Sequence, residues 1–258
     1  MSYSRLAIRL EYDGSAYAGS QYQPDKPTIQ GELEKALARL TGHETRADFA
    51  GRTDAGVHAV GQVAAFTTDR SDSSDGWLGA LNGLLPADIA VTAVAEARDD
   101  FDPRRDATRR WYRYTILARR SRDALARGRA WHVSQPLCLE AMQEAASRLV
   151  GRHDFAAFCG ALEPGRTTTR TIFGSCLSRR GEKVRFDVVG DAFLPQQVRR
   201  MTGALVRVGQ GKMSVDELTA TLEQAEHGSS RHLAPPEGLC LMRVDYEGFN
   251  FGDNDEDL

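Results

Sequence analysis

An alternating stretch, a helical stripe, two more extended stretches, a second helical stripe and a closing extended stretch follow one another in this chain, and the order then recurs. Apolar residues at every second position mark half-buried strands, and apolar residues three and four apart mark amphipathic helices. In the first half, Leu6, Ile8, Leu10 and Tyr12 alternate with Ala7, Arg9 and Glu11. A glycine-bearing loop follows. Thr28 can then cap a helix whose stripe is Ile29, Leu33, Leu37 and Leu40, with Gly42 as its stop. Residues 45–50 and 62–68 read as strands on either side of a polar turn. Ser74 or Asp75 caps a second helix through Trp77, Leu78, Leu81 and Leu84, Pro86 ends it, and a strand begins at Ile89.

In the second half, residues 111–117 read as a strand, and 139–150 as a helix with Met142, Ala145, Ala146 and Leu149 inward. Residues 171–178 and 183–189 read as a hairpin around Arg180 and Gly181. A helix over 194–208 turns Val198, Met201, Leu205 and Val208 inward, Ser214 to Glu217 is a capping box for one more helix, and 239–246 is the closing strand. Each half therefore reads β-α-β-β-α-β, with an extra helix in the second, the split β-α-β arrangement. The expected fold class is α+β: two similar ferredoxin-like or RRM-like halves with mainly antiparallel sheets and helices on one face of each. The expected boundaries are 1–103 and 104–248, with an acidic, disordered tail at 249–258.

The 258 residues, 41% of them apolar, fit one large or two modest globular domains. No run approaches the ~18 apolar residues of a membrane span. Met1 to Arg5 holds no apolar signal core, so a cytoplasmic protein is expected. Cys138, Cys159, Cys176 and Cys240 form no C-x-x-C pair, which speaks against a zinc site or a redox motif.

Residues 49–59 read FAGRTDAGVHA. Gly51 and Gly56 permit positive φ and close approach of another backbone, and between them sit Arg52, Thr53 and Asp54. Such a turn is either a site carried on a loop or a surface turn capped by its aspartate. The run GRTDAGVH, from Gly51 to His58, resembles the signature of the tRNA pseudouridine synthase A family without a break. The resemblance implies that Asp54 is the catalytic residue and that the active site lies between two similar halves. It also implies a pseudouridine synthase fold, uridine in the anticodon stem-loop of tRNA as substrate, and a homodimer. Isomerisation needs no redox or energy input, so neither a cofactor nor a metal is expected.

Two further segments extend the resemblance. RWYRY, Arg110 to Tyr114, is similar to the family's R-x-Y-R-Y, whose first Tyr contacts the target base; that role falls on Tyr112. FLPQQVRR, Phe193 to Arg200, is similar to F-L-x-x-Q-V-R-R, and the family sets this arginine, here Arg199, beside its catalytic Asp. A partly buried arginine needs a carboxylate or phosphate partner, and Asp54 is the candidate. Gly19-Ser20-Gln21 departs from the family's G-W-Q, and Asp191 stands where the family often has Asn.

Net charge is −3, yet residues 98–129 hold eleven arginines against five aspartates. Arginine forks onto phosphate oxygens. Arg104, Arg105, Arg109 and Arg110 are therefore expected to meet an RNA backbone, and Arg52 to bind substrate; a solvated linker face is the alternative. On the strand, Tyr112, Tyr114 and Ile116 share one face and Trp111, Arg113, Thr115 and Leu117 the other, and one of the two is core. Asp54, His58, His153 and Asp154 would suit a metal-dependent hydrolase, but no H-x-x-x-H or E-x-x-H cluster occurs, and a structural His58 is expected. A non-catalytic RNA-binding protein of two split β-α-β modules is the other alternative. It lacks the RNP signature.

Overall fold

The computed structural model describes residues 3–163 and 165–252. The chain forms two compact units, Met1–Thr108 with Leu241–Leu258, and Arg109–Cys240.

The first unit contains β1 (Ser4–Tyr12), α1 (Ile29–Thr41), β2 (Asp48–Phe49), β3 (His58–Thr68), α2 (Ser74–Leu84) and β4 (Ile89–Ala97). β1 runs antiparallel between β3 and β4. Its expected inward row, Leu6, Ile8, Leu10 and Tyr12, is buried. Trp77 of α2 meets Phe66 of β3 edge-on at 5.2 Å, a favoured aromatic geometry. The Thr28 hydroxyl caps α1 by accepting from Gly31 N at 3.1 Å, and Gly42 ends the helix at φ 80°. The cap of α2 is Ser73, not Ser74 or Asp75, because its Oγ is the oxygen that meets Gly76 N, at 3.2 Å.

β3 begins at His58 rather than at residue 62, because Tyr12 of β1 pairs with Ala59. The other face of β1 and β3 is covered too. Ala7 and Ala65 lie fully buried under Phe101, with Tyr246, Phe249 and Phe251 alongside. Phe101 and Phe249 have ring centroids 4.8 Å apart. The expected disorder of 249–258 is thereby corrected for 249–252, where the partly buried Phe249 and Phe251 pack against the Ala7, Ala65 and Phe101 cluster and remove apolar surface from water. Residues 253–258 lie outside the described residues.

The second unit takes up most of β5 (Ala107–Ala118), then β6 (Trp131–Val133), α3 (Leu139–Ser147), β7 (Gly151–Asp154), β8 (Thr169–Arg180), β9 (Lys183–Gly190), α4 (Gln197–Gly209) and α5 (Val215–Gln224). The order β5-β9-β8-β7 is antiparallel throughout, and β6 lies parallel along β5. Arg180 pairs with Lys183, so two residues close the β8–β9 hairpin, with Gly181 at φ 62°. The expected inward residues of α4, Val198, Met201, Leu205 and Val208, are all buried. The helix starts at Gln197 rather than 194, after Gln196 at φ 62°. Most of β10 (Leu239–Tyr246), from Leu241 on, belongs to the first unit, next to β3. The sequence pattern had put it in the second half.

The architecture is thus α+β with mainly antiparallel strands, as the periodicities imply. The short strands β6 and β7 carry too few residues to show a period.

Candidate active site

Asp54 lies half-buried in the turn between β2 and β3. Its carbonyl accepts from Val57 N at 3.1 Å, and Gly56 takes φ 79° to close the turn. Thr53, just before it, is tied to Ser20 twice. Thr53 N donates to Ser20 Oγ at 2.8 Å, and Ser20 N donates to Thr53 O at 3.1 Å. The loop after β1 presses on the turn so closely that side chains are excluded. A Cβ on Gly14 would stand 2.0 Å from Val57 O, and one on Gly19, at φ 111°, 2.8 Å from Thr53 O. His58 is 3% exposed, and its Nδ1 accepts from Gly14 N at 3.2 Å. Asp13 Oδ1 lies 3.2 Å from the same nitrogen. His58 therefore ties β3 to this loop.

The structure brings Arg52 together with Arg104 and Arg105, some fifty residues on. A cavity of about 290 Å³ in the first unit is lined by Gln21, Gln30, Asp48, Arg52, Arg104 and Arg105, among others. All three arginines are exposed. Asp48 is neutralised by Arg5 at 2.7 Å. Asp102 Oδ1 accepts from the backbone N–H groups of Arg104 and Arg105, at 2.9 and 3.0 Å, and so shapes the loop that presents them. The rest of the basic stretch divides differently. Arg98 pairs with Asp100 and Asp106, Arg113 with Asp187, and Arg119 with Glu182.

In the second unit, Arg109 is exposed with its guanidinium 5.3 Å from the Phe173 ring centroid. Arg110 is buried, and its Nη1 donates to Asp191 O at 2.5 Å. That burial sets it apart from Arg104, Arg105 and Arg109, which are exposed. The parity of β5 explains why: Arg110 shares the inward row with Tyr112, Tyr114 and Ile116. Tyr112 meets Phe193 edge-on at 5.2 Å. Arg199 is half-buried on the first turn of α4, with Nε donating to Ala234 O at 2.9 Å. His153 Nε2 lies 3.0 Å from Val150 O, and Asp154 caps the next turn by accepting from Ala156 N at 3.0 Å. Among the described residues no group of three or more His, Cys, Asp or Glu could hold a metal ion.

The family profile described as tRNA pseudouridine synthase matches residues 8–104 and 145–247. The chain is 46% identical over 243 residues to tRNA pseudouridine synthase A of Moorella thermoacetica, covering 93% of this chain and 99% of the relative. It is 44% identical to the tRNA pseudouridine synthase A of Pelobacter propionicus, over 93% and 99% of the two chains. The Myxococcus xanthus protein of that name is 44% identical, over 94% and 92%. The chain belongs to the tRNA pseudouridine synthase family.

Within this pseudouridine synthase, sequence reading missed Ser20. Its only signal was the departure from the family's G-W-Q. A hydroxyl can accept the Thr53 N–H, whereas an indole has a donor and no acceptor. Among the described residues no helix is long and apolar enough to cross a membrane.

Proposed function

We propose that this protein isomerises uridine to pseudouridine in tRNA with Asp54 as the catalytic carboxylate. The observation that carries the reading is the Asp54 turn itself: a half-buried carboxylate on a turn whose flanking backbone is pinned by buried hydrogen bonds, in a chain of this family. In the reaction the bond from N1 to C1′ breaks, the uracil turns, and C5 bonds to C1′. The hydrogen on C5 leaves and N1 takes up a proton, so substrate and product are isomers and no outside electrons or groups are needed. A carboxylate such as Asp54 acts here as nucleophile or base. The target nucleotide has to leave its stack to be reached.

Arg52, Arg104 and Arg105 hold RNA phosphates around the cavity they line, and Arg109 adds an exposed cation. Tyr112 packs against the target base, and Arg199 supplies a positive charge to the site. The family resemblance supports the anticodon stem-loop as the target, a homodimer as the working form and the cytoplasm as the compartment.

The test is tritium release from tRNA labelled at uridine C5, with tRNA binding and thermal melting measured on the same preparations. Asn is neutral and nearly non-basic, so Asp54→Asn should lower release about a thousandfold or more. It should leave binding nearly unchanged, because phosphate contacts dominate affinity. Appreciable turnover by a folded Asp54→Asn enzyme would overturn the assignment.

A further inference from the structure

A second set of buried polar groups holds the Asp54 turn from the β3 side. Gln62 is fully buried at its centre. One Nε2 hydrogen goes to Gly51 O at 2.9 Å and the other to the Tyr12 hydroxyl at 3.3 Å. Tyr12 is 3% exposed, and its oxygen lies 2.9 Å from Thr53 Oγ1. Either hydroxyl can donate in this pair, since the phenol oxygen has a second lone pair left after accepting from Gln62. Chemistry fixes the orientation of the carboxamide: only Nε2 can face the Gly51 carbonyl, and Oε1 accepts from Val63 N at 3.2 Å. Gly51 and Thr53 flank Arg52, and Thr53 precedes Asp54.

Apolar side chains would fill this volume without the desolvation cost that buried polar groups carry. A fully bonded polar network instead defines one geometry. We infer that Gln62 and Tyr12 are positioning residues: through Gly51 and Thr53 they fix where the Asp54 carboxylate stands. The inference rests on the reading of Asp54 as catalytic.

Tyr12→Phe removes one hydroxyl and keeps the ring. Thr53→Val removes the matching hydroxyl at constant shape, and Thr53→Ser retains it. Single-turnover C5 tritium release should fall by about 10- to 100-fold in Tyr12→Phe and in Thr53→Val, since small misplacements of a reacting group carry costs of that order. Affinity for tRNA should change by less than about twofold, because phosphate contacts set it. The double variant should be no slower than the slower single, as for groups acting in one link. Thr53→Ser should restore the rate.

Normal turnover in Tyr12→Phe with only a lower melting temperature would overturn the inference, as would independent, multiplicative effects in the double variant. Asp54→Asn, run alongside, separates the two readings. If it stays active, both fall; if it is inactive while Tyr12→Phe turns over normally, only the positioning role falls. Should Tyr12→Phe fail to fold, Thr53→Val tests the same link. Failure of both to fold would make the network purely structural and sink the proposal.

Discussion

Tyr112 is 7% exposed, with its ring edge-on to Phe193. Two residues on, Tyr114 is fully buried and donates to Pro235 O at 2.7 Å. Burial, reinforced by Glu237 and opposed by Arg199, pushes the Tyr114 phenol well above its ordinary range. That makes Tyr114 a fixed donor, and the proposed contact with the target base falls on Tyr112. Tyr112→Phe should keep the ring packed on Phe193 and lose turnover. Tyr112→Leu should lose turnover and about 1 kcal/mol of stability besides, as the edge-to-face pair goes. Melting curves and tritium release distinguish the outcomes, and normal turnover in both variants would take Tyr112 out of the reaction. The turn that carries Asp54 was legible because its motif is unbroken and local. The burial of Arg110 was not. Alternation groups residues 110, 112, 114 and 116 on one face, but packing decides which face is inside.

Among the elements, helices were read most accurately where caps are chemically distinct. Thr28 and Gly42 bound α1 as expected, whereas adjacent candidates misplaced the cap of α2 by one residue. β3 resisted pattern reading because both its faces are covered, so its inward residues do not alternate with polar ones. In α5 the capping box closes fully: Ser214 Oγ accepts from Glu217 N at 3.1 Å, and Glu217 accepts from Ser214 N at 2.6 Å. The bonds from Ser214 hold the Glu217 carboxyl below its ordinary range. A carboxylate shifted this way adds stability above its unfolded pKa and loses it as pH falls through its folded pKa. Amide exchange over the first turn of α5 should therefore speed up as pH drops below the ordinary glutamate range, after correction for intrinsic exchange. In Glu217→Gln, which keeps an acceptor without the titration, protection should be flat over that window. Equal pH dependence in both proteins would exclude the box as its source.

At the level of the whole molecule, a net charge of −3 hides a local excess of arginine that the fold sorts by use. Arg113 is spent on Asp187 at 2.9 Å, while Arg104 and Arg105 line the cavity with Arg52. Replacing Arg104 and Arg105 by Ala should flatten the slope of log K for tRNA against log salt by roughly one unit per lost phosphate contact. Arg113→Ala should leave that slope unchanged. An unaltered slope in the Arg104 and Arg105 variants would mean that these side chains meet only solvent. The sequence by itself determined the types of the longer elements, the α+β class and the motif of the Asp54 turn, because periodicity, caps and an unbroken motif are properties of neighbouring residues. Only the tertiary structure decided that the chain from Leu241 packs with the first unit and that Phe249 and Phe251 are ordered. It alone also decided that Ser20, Tyr12 and Gln62 brace the turn, and that Arg52 shares a cavity with Arg104 and Arg105. Those outcomes depend on contacts between residues far apart in the chain, whose burial and hydrogen bonding have no local pattern to announce them.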